Sequence, residues 1–434
     1  MRILIIGGGI GGLCLAQGLR RAGVEAAAYE RDEDRTARVD RYRLYISPAG
    51  SRALRACLPE EAWREFLSGT GEASDGFGFL TEQLRPLVIV EDTVMYPPSA
   101  DPAERARPVD RMFLREVLLS GLDDMVEFGR EFDRYELRPG GGVTAHFTDG
   151  TSADGDILIG ADGAGSAVRR QYLPDADPVP SGALGIAWTI PLDGPAGQEI
   201  PERLRHGMNL IMAAAPFFLF TSVFRRPARP GDGADAARGD YLLCALVARR
   251  EACAPGVGSF DGPELQSAVA ALMARWHPGL VRLAGGADSG TFGTYSFAAA
   301  PAVTWSSSAV TVLGDAIHSM PPVGGIGANM AMRDASLLTR NLAAAARGEM
   351  SPLAAISDYE AEMRDYGFGA VRSALANQRL GVIANPAAQA GMRTWFRLCA
   401  AVPALRRAGF RDRWDKDARP RAWETPANRE ATLR

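Results

Sequence analysis

A glycine-rich turn close to the N-terminus constrains the fold more than any other feature of the sequence. Residues 2–6 (R-I-L-I-I) form a short apolar run, which is typical of a buried parallel strand. The run leads directly into G-G-G-I-G-G at residues 7–12, which contains the pattern G-x-G-x-x-G. Helical periodicity follows over 13–22, and a second strand-like run over 24–29. The sequence therefore predicts a βαβ unit that begins at the first residues of the chain.

The spacing of these glycines predicts a dinucleotide site. Gly7 permits a tight turn, Gly9 lets the backbone approach a pyrophosphate, and Gly12 allows the helix to pack closely on the strand. The N-terminus of the helix then presents free N–H groups and a positive dipole end to the phosphates. Glu30 ends the second strand, where a carboxylate can bind a ribose hydroxyl. The motif alone does not distinguish NAD from FAD.

The middle of the chain differs from the N-terminal part in its predicted secondary structure. Strand-like apolar and aromatic runs at 183–190, 208–224 and 241–248 are separated by turns rich in proline and glycine, and one helix is predicted over 263–276. Near residue 309 the sequence returns to buried-strand character, and a long helix is predicted over 329–346. These shifts predict an α/β chain in which a mostly β insertion interrupts a Rossmann-like domain.

Two further motifs lie far from the first. Residues 314–329 read G-D-A-I-H-S-M-P-P-V-G-G-I-G-A-N, and residues 160–169 read G-A-D-G-A-G-S-A-V-R. With these motifs the chain resembles the class A flavoprotein monooxygenases, the family of para-hydroxybenzoate hydroxylase. The resemblance extends from residue 1 to about residue 380. It implies that the nucleotide is FAD.

The resemblance also implies roles for individual residues. Asp315 matches the aspartate of the family that binds the flavin ribityl chain, and Asp162 lies in the motif near the flavin, although a strand-to-helix turn explains it equally. The helix from Asn329 would direct its positive end at the reduced flavin. Together the predicted cofactor-binding residues are Gly7, Gly9, Gly11, Gly12, Glu30, Arg31, Arg43, Arg111, Asp162, Asp315, Pro322, Gly325, Gly327 and Asn329.

Three arginines and a histidine leave alternatives open. Arg111 matches a family arginine that reaches the flavin and its phosphates, whereas Arg31 is equally a surface charge. The segment Asp40-Arg41-Tyr42-Arg43 departs from the family, which has a small residue near Tyr42. Arg43 either covers the isoalloxazine or gates flavin movement, or it is an ordinary surface charge. His318 is expected to brace its own loop and has no predicted acid–base role.

The predicted fold class is a Rossmann-like FAD-binding domain with an inserted, mostly β substrate domain and a C-terminal helical segment. The FAD-binding domain is discontinuous and comprises residues 1–75, 100–180 and 290–380. The substrate-binding β-sheet domain comprises 76–99 and 181–289, and the helical segment and tail comprise 381–434.

The resemblance implies an FAD-dependent monooxygenase that uses NAD(P)H and O2. Reduced FAD would form a C4a-hydroperoxide that hydroxylates or epoxidises the substrate, so no catalytic side chain is predicted. The sequence has one G-x-G-x-x-G motif and no redox cysteine pair, which favours transient binding of NAD(P)H as a co-substrate. The predicted substrate-binding residues are aromatic or apolar: Trp188, Met212, Phe218, Phe220, Tyr295 and Phe297. They favour a bulky, weakly charged secondary metabolite.

Composition limits the partners of the chain. A net charge of −4 gives no pull toward nucleic acid, and the longest apolar stretch, 209–224, is too short to span a bilayer. Five scattered cysteines without metal-ligand spacing favour reduced thiols, no metal site and a cytoplasmic location. We expect small-molecule partners and a monomer or homodimer.

Three other functions remain to be weighed. A flavin-dependent halogenase shares the fold, but its chemistry needs a lysine in the N-terminal part of the chain, and the one lysine here is Lys416. A flavin reductase that acts on isoprenoid double bonds stays open as the alternative. A non-catalytic flavin-binding protein is disfavoured, because it would not need the complete motif at residues 314–329.

Overall fold

The computed structural model of the chain describes residues 1–37, 43–71, 76–96, 98–225 and 239–411. The predictions that concern residues 40–42 and the tail after residue 411 therefore lie outside the described residues. The strands in these ranges are Arg2–Ile6 (β1), Glu25–Tyr29 (β2), Arg43–Ile46 (β3), Phe77–Thr81 (β4), Pro86–Val90 (β5), Arg107–Asp110 (β6), Val126–Glu127 (β7), Phe132–Leu137 (β8), Val143–Phe147 (β9), Ser152–Gly155 (β10), Ile157–Gly160 (β11), Val179–Pro191 (β12), Met208–Met212 (β13), Phe217–Phe224 (β14), Tyr241–Arg249 (β15), Gly293–Ala299 (β16) and Val310–Val312 (β17).

The α-helices connect these strands and form the C-terminal part of the described chain. They are Ile10–Arg21 (α1), Pro48–Cys57 (α2), Glu60–Ser68 (α3), Asp92–Met95 (α4), Arg111–Leu119 (α5), Ala167–Tyr172 (α6), Pro195–Gln198 (α7), Gly262–Leu272 (α8), Pro278–Gly285 (α9), Asp315–His318 (α10), Gly327–Ala346 (α11), Pro352–Gly381 (α12), Pro386–Ala401 (α13) and Pro403–Phe410 (α14). Among the described helices, none combines the length and apolarity needed to cross a bilayer.

A parallel sheet with the strand order β17-β11-β1-β2-β7 forms the Rossmann-like part of the molecule. Its central strand β1 is apolar on both faces because helices cover both, and Ile3, Leu4 and Ile5 are fully buried. The predicted βαβ unit is confirmed, but α1 begins at Ile10 rather than at residue 13, since part of the glycine turn is helical. The carboxyl ends of β1, β2, β11 and β17 meet at one edge of the sheet, which is where such folds bind ligands.

A larger sheet with the order β16-β12-β15-β14-β13-β4-β5 lies beside the first and is antiparallel except for the β13–β4 pair. One face packs against α8 and α9, so the prediction of a single helix in the insertion is wrong. The sheet also takes in β16, which lies beyond residue 289, where the predicted insertion ends. The division of the chain into domains stays a prediction.

Candidate active site

The turn between β1 and α1 excludes side chains at two glycines and leaves open space at a third. Gly7 has a φ of 111°, and a Cβ there would lie 2.4 Å from the carbonyl oxygen of Ala161. A Cβ at Gly12 would lie 2.1 Å from the carbonyl oxygen of Gly7. A Cβ at Gly9 would meet no described atom within 4 Å. Gly9 lines a cavity of about 1390 Å³ that adjoins this turn, and Gly12 does not. Gly12 packs against the turn itself, in keeping with the close packing predicted for it, and its inclusion among the cofactor-binding residues stays a prediction.

The carboxylate of Glu30 is held in place at the end of β2. Its two oxygens accept hydrogen bonds from the backbone N–H groups of Gly8, at 2.6 Å, and Asp32, at 3.0 Å. Glu30 is buried in the protein but lines the cavity, as do Arg31 and Gly11. Three of the predicted nucleotide-binding residues thus lie on one wall of the cavity next to the glycine turn.

Asp315 lies at the end of β17 and faces the same cavity. A Cβ at Gly327 would lie 3.5 Å from Oδ1 of Asp315, so the N-terminus of α11 adjoins this carboxylate. Desolvation by the surrounding protein and the nearby carboxylate of Asp334 raise the pKa of Asp315, while His318 and Arg111 act in the opposite direction. The dipole of α11 also favours a negative charge at this point. The pKa of Asp315 is thus raised overall, and His318, Arg111 and the helix dipole offset only part of the cost of desolvating its ionised form.

A buried ionic cluster supports the turn that carries Asp315. The Nε2 atom of His318 lies 2.7 Å from an oxygen of Asp334, which also accepts a hydrogen bond from the backbone N–H of Gly314 at 2.7 Å. The hydroxyl of Tyr366 donates to the other oxygen of Asp334. Burial disfavours the charged imidazole, but the contact with Asp334 raises the pKa of His318 overall. His318 thus braces its own loop against α11 and α12, as the sequence predicts.

The loop before α11 contributes backbone and small residues to the cavity. Pro322, Gly325 and Gly327 line it. Asn329 does not: its side-chain N–H groups donate to the carbonyl oxygens of Tyr45, at 2.9 Å, and Gly325, at 3.0 Å, and its oxygen accepts from a backbone N–H. The direct cofactor contact predicted for Asn329 is therefore corrected, because its hydrogen-bonding groups join the loop to β3.

Two more predicted residues line the cavity from other elements. Arg111 begins α5, a helix whose N-cap Asp110 accepts a hydrogen bond from the backbone N–H of Met112 at 2.9 Å. Asp162 follows β11, and its carboxylate accepts from the backbone N–H of Ala167 at 2.7 Å, where α6 begins. Asp162 is thus placed both to cap a helix and to face the cavity, and the two interpretations stay open.

Arg43 is not an ordinary surface charge. Its side chain crosses from β3 to β14, where Nη1 donates to the hydroxyl of Ser222 and, at 3.0 Å, to the carbonyl oxygen of Val223. The guanidinium also lies 5.6 Å from the ring centroid of Tyr45. Arg43 lines the cavity on the side of the large sheet. These contacts do not require Arg43 to bind the cofactor, so that role stays a prediction.

A single cavity of about 1390 Å³ joins the glycine turn to the inner face of the large sheet. Pockets for one small molecule measure roughly 300–1,000 Å³, so this cavity has room for a dinucleotide and a second molecule. The predicted cofactor-binding residues that line it are Gly7, Gly9, Gly11, Glu30, Arg31, Arg43, Arg111, Asp162, Asp315, Pro322, Gly325 and Gly327. The predicted substrate-binding residues that line it are Met212, Phe218, Phe220, Tyr295 and Phe297.

Trp188 is the predicted substrate-binding residue that the structure places elsewhere. In β12 successive side chains alternate between the two faces of the sheet, and Gly185 and Ala187 face the cavity. Trp188 points to the opposite face, where it is buried and stacks on Phe292 with ring centroids 5.1 Å apart. Trp188 is therefore part of the core beneath the sheet, and its predicted contact with substrate is wrong.

Sequence reasoning missed two groups of lining residues. One consists of the small side chains of the central strands, such as Ala187 and Ala245, which carry no recognisable chemistry. The other comes from the C-terminal helices, where Trp395 and Phe396 of α13 and Phe410 of α14 line the cavity, and the two phenylalanines pack against Phe79 of β4. Aromatic residues in an otherwise arginine-rich and alanine-rich segment were a signal that could have indicated this second group.

Comparison with known proteins agrees with this geometry. Residues 5–68 match the family described as NAD(P)-binding Rossmann-like domain, and residues 268–374 match the family described as FAD binding domain. A crystal structure of a candidate FAD-containing monooxygenase from Photorhabdus luminescens subsp. laumondii TTO1 is 33% identical with a TM-score of 0.79, and the similarity covers 88% of this chain and 99% of that one. The chain belongs to the FAD-dependent monooxygenase family.

Two curated relatives within this family are longer than the chain. The dual O-methyltransferase/FAD-dependent monooxygenase elcB of Phaeosphaeria nodorum is 30% identical over 417 residues, which cover 85% of this chain and 45% of elcB. The chloroplastic zeaxanthin epoxidase of Oryza sativa subsp. japonica is 26% identical over 349 residues, which cover 77% of this chain and 47% of the epoxidase. The chain thus spans less than half the length of these relatives.

The residues present fit FAD, the cofactor of this family. The space beside Gly9 admits a close approach to the backbone, which a Cβ at this position would fill. Glu30 is fixed by backbone donors with its carboxylate at the cavity wall, where it can reach a ribose. Asp315 lines the same cavity beside the N-terminus of α11. All three groups line one continuous space, as an extended dinucleotide requires.

Proposed function

We propose that the chain is an FAD-dependent monooxygenase that uses NAD(P)H and O2 to hydroxylate or epoxidise a bulky apolar or aromatic small molecule of secondary metabolism. The observation that carries the proposal is the continuous cavity, which joins the nucleotide turn at Gly9 to the aromatic face of the large sheet. Its two ends differ in chemistry. Backbone donors and carboxylates lie at one end, and Phe218, Phe220 and Phe297 lie at the other.

Three groups of this chain would hold the cofactor. Glu30 would bind a ribose, the turn at Gly9 would hold the pyrophosphate, and Asp315 would accept hydrogen bonds from the ribityl hydroxyls. The N-terminus of α11 at Gly327 would stabilise negative charge next to it. When bound, FAD supplies the redox chemistry, since it accepts a hydride from NAD(P)H and activates O2. We assign no side chain a catalytic role.

The remaining task of the protein is to orient the substrate and to exclude water. The apolar lining of the large sheet and of α13 suits both purposes, because it buries aromatic surface and offers few hydrogen-bond partners to water. Excluding water prevents the loss of reducing equivalents to unproductive oxygen reduction. NAD(P)H would bind transiently, since the nucleotide fold at β1 and α1 is assigned to FAD.

We further propose that the protein is a cytoplasmic monomer or homodimer. All five cysteines are free thiols, and four of them, Cys14, Cys57, Cys244 and Cys399, are buried. Reduced thiols are usual in a reducing compartment. Gel filtration with light scattering measures the oligomeric state, and a stable assembly larger than a dimer would contradict this part of the proposal.

Oxygen uptake tests the proposed activity. Purified protein is loaded with FAD and incubated in air with NADH or NADPH, with and without a panel of polycyclic phenols and olefins. We expect oxygen uptake to rise with an accepted substrate and an oxygenated product to form. Uptake that does not depend on any substrate, with no oxygenated product, would contradict the proposal, as would a colourless protein that never takes up FAD.

A flavin reductase acting on isoprenoid double bonds is the alternative within the same fold. The two functions differ in their need for oxygen. A reductase would form a saturated product under nitrogen, whereas a monooxygenase would form no oxygenated product until air is admitted. The zeaxanthin epoxidase among the relatives favours the oxygen-dependent outcome.

A further inference from the structure

We propose that Arg43 is a specificity-determining residue that binds an ionised oxygen of a flat, apolar substrate. The oxygen would belong to a phenolate, carboxylate or enolate on the ring system. This inference rests on the proposed function, because it takes the inner face of the large sheet as the substrate pocket. It concerns binding alone and can therefore be tested without turnover.

The position of the guanidinium is the first argument. Arg43 begins β3, but its hydrogen bonds go to Ser222 and Val223 of β14 in the large sheet. Ser222 lies on the same face of β14 as Phe218 and Phe220, and all three line the cavity. The charge is thus fixed on the aromatic face, where the substrate is proposed to bind.

The unbalanced charge of this residue is the second argument. Among the described residues no carboxylate lies within ion-pair distance of Arg43, and its Nε atom is buried without a hydrogen-bond partner. Burial lowers the pKa of Arg43, while Tyr45, Tyr241 and Asp92 act in the opposite direction. A guanidinium nevertheless stays protonated in proteins. A desolvated cation without a counter-ion is costly, and a bound anion would offset that cost.

The shape of the sheet beside Arg43 is the third argument. The pairing of β12, β15 and β14 places Ala187, Ala245 and Phe220 in one row across the sheet. Ser222, which holds the guanidinium, lies in the next row on the same face. The two alanines leave a shallow depression beside the ring of Phe220. A flat ring system lying there would place a substituent oxygen toward Arg43.

Two probes with the same ring system and different charge test the proposal: 2-naphthoate and its methyl ester. Each is titrated into the FAD-loaded, oxidised protein at neutral pH, and binding is followed by the change in flavin absorbance. We expect wild type to bind the acid about tenfold or more tightly than the ester, as a desolvated, charge-assisted hydrogen bond would give. Arg43→Met should remove this preference and leave the affinity for the ester within about threefold.

Two further variants keep the result interpretable. Arg43→Lys retains the charge without the planar fork and should restore part of the preference for the acid. Arg282→Met changes the net charge equally on an exposed helix, where Arg282 pairs with Glu199, and should behave as wild type. The proposal is overturned if Arg43→Met leaves the affinity for naphthoate unchanged or weakens acid and ester alike.

The FAD affinity of the same variants separates the two roles considered for Arg43. If Arg43→Met weakens FAD binding tenfold while the preference for the acid persists, Arg43 serves the cofactor and the proposal is wrong. If the preference depends on Arg43 but no oxygenated product ever forms, only the proposed function fails. We expect unchanged FAD affinity together with loss of the preference.

Discussion

The open space beside Gly9 gives the sharpest prediction of the account. A Cβ at this position meets no described atom within 4 Å, and the backbone of Gly9 has φ −79° and ψ −178°, which alanine adopts readily. Gly9→Ala should therefore leave the fold of the apoprotein intact. The added methyl group would fill the space through which the pyrophosphate of FAD approaches the backbone.

The expected changes in stability and in FAD affinity of Gly9→Ala have different sizes. Two small, opposing effects act on stability, and one larger effect acts on FAD binding. Removing a glycine stabilises the folded chain by about 0.4–1 kcal/mol, whereas alanine is a poorer N-cap than glycine by a similar amount, so the free energy of unfolding should change by less than about 1 kcal/mol. A hydrogen bond to a charged phosphate contributes about 1.5–3 kcal/mol. Losing one such bond should weaken FAD binding roughly 10- to 150-fold.

Fluorescence quenching of FAD on titration with apoprotein measures this loss, and chemical denaturation measures the stability. Gly12→Ala is the matched control, because a Cβ at Gly12 would lie 2.1 Å from the carbonyl oxygen of Gly7. This variant should destabilise the apoprotein itself. If Gly9→Ala binds FAD within twofold of wild type, the glycine turn does not hold the pyrophosphate and the reasoning is refuted.

Three further predictions concern the turn at Asp315 and the two faces of the large sheet. Asp315→Ala should weaken FAD binding about tenfold in the same titration, since it removes the predicted acceptor for the ribityl hydroxyls; equal affinity would exclude that role. The folded protein raises the pKa of His318, so its contribution to stability should be complete below its ordinary pKa of about 6.5 and fall as pH rises through the raised value. Urea unfolding across this range should show that His318→Asn flattens the decline, and an unchanged pH profile would contradict the ionic pair with Asp334. Trp188→Phe should lower the free energy of unfolding by about 1–3 kcal/mol without altering the affinity for aromatic ligands. Phe220→Leu should alter that affinity. The opposite pattern would show that Trp188, and not Phe220, contacts the ligand.

The parts of the fold that sequence could predict are those specified locally. The run at β1, the glycine spacing at residues 7–12 and the acid at Glu30 each constrain their own neighbourhood, and the structure places them as expected. The motif at residues 314–329 indicated Asp315 through its resemblance to the family, and the structure places Asp315 on the cavity wall.

The errors arise where the decisive contact is distant in sequence. Alternation shows that Trp188 and Ala187 lie on opposite faces of β12, but only the helices packed beneath the sheet decide which face is covered. Asn329 lies in a motif that suggests a ligand, yet its hydrogen bonds go to the backbone of Tyr45 and Gly325. Arg43 finds its partners in β14, and no local pattern indicates that pairing.

Incorporation of oxygen from O2 tests the central claim most directly. The FAD-loaded protein is incubated with NADPH, ¹⁸O2 and small-molecule extracts or the polycyclic panel, and the products are analysed by mass spectrometry, with Gly9→Ala as the variant that should bind FAD more weakly. The account predicts a product that carries one ¹⁸O atom, forms only with NAD(P)H and is reduced with the variant at limiting FAD. Products without the label, or turnover that proceeds equally well under nitrogen, would contradict it.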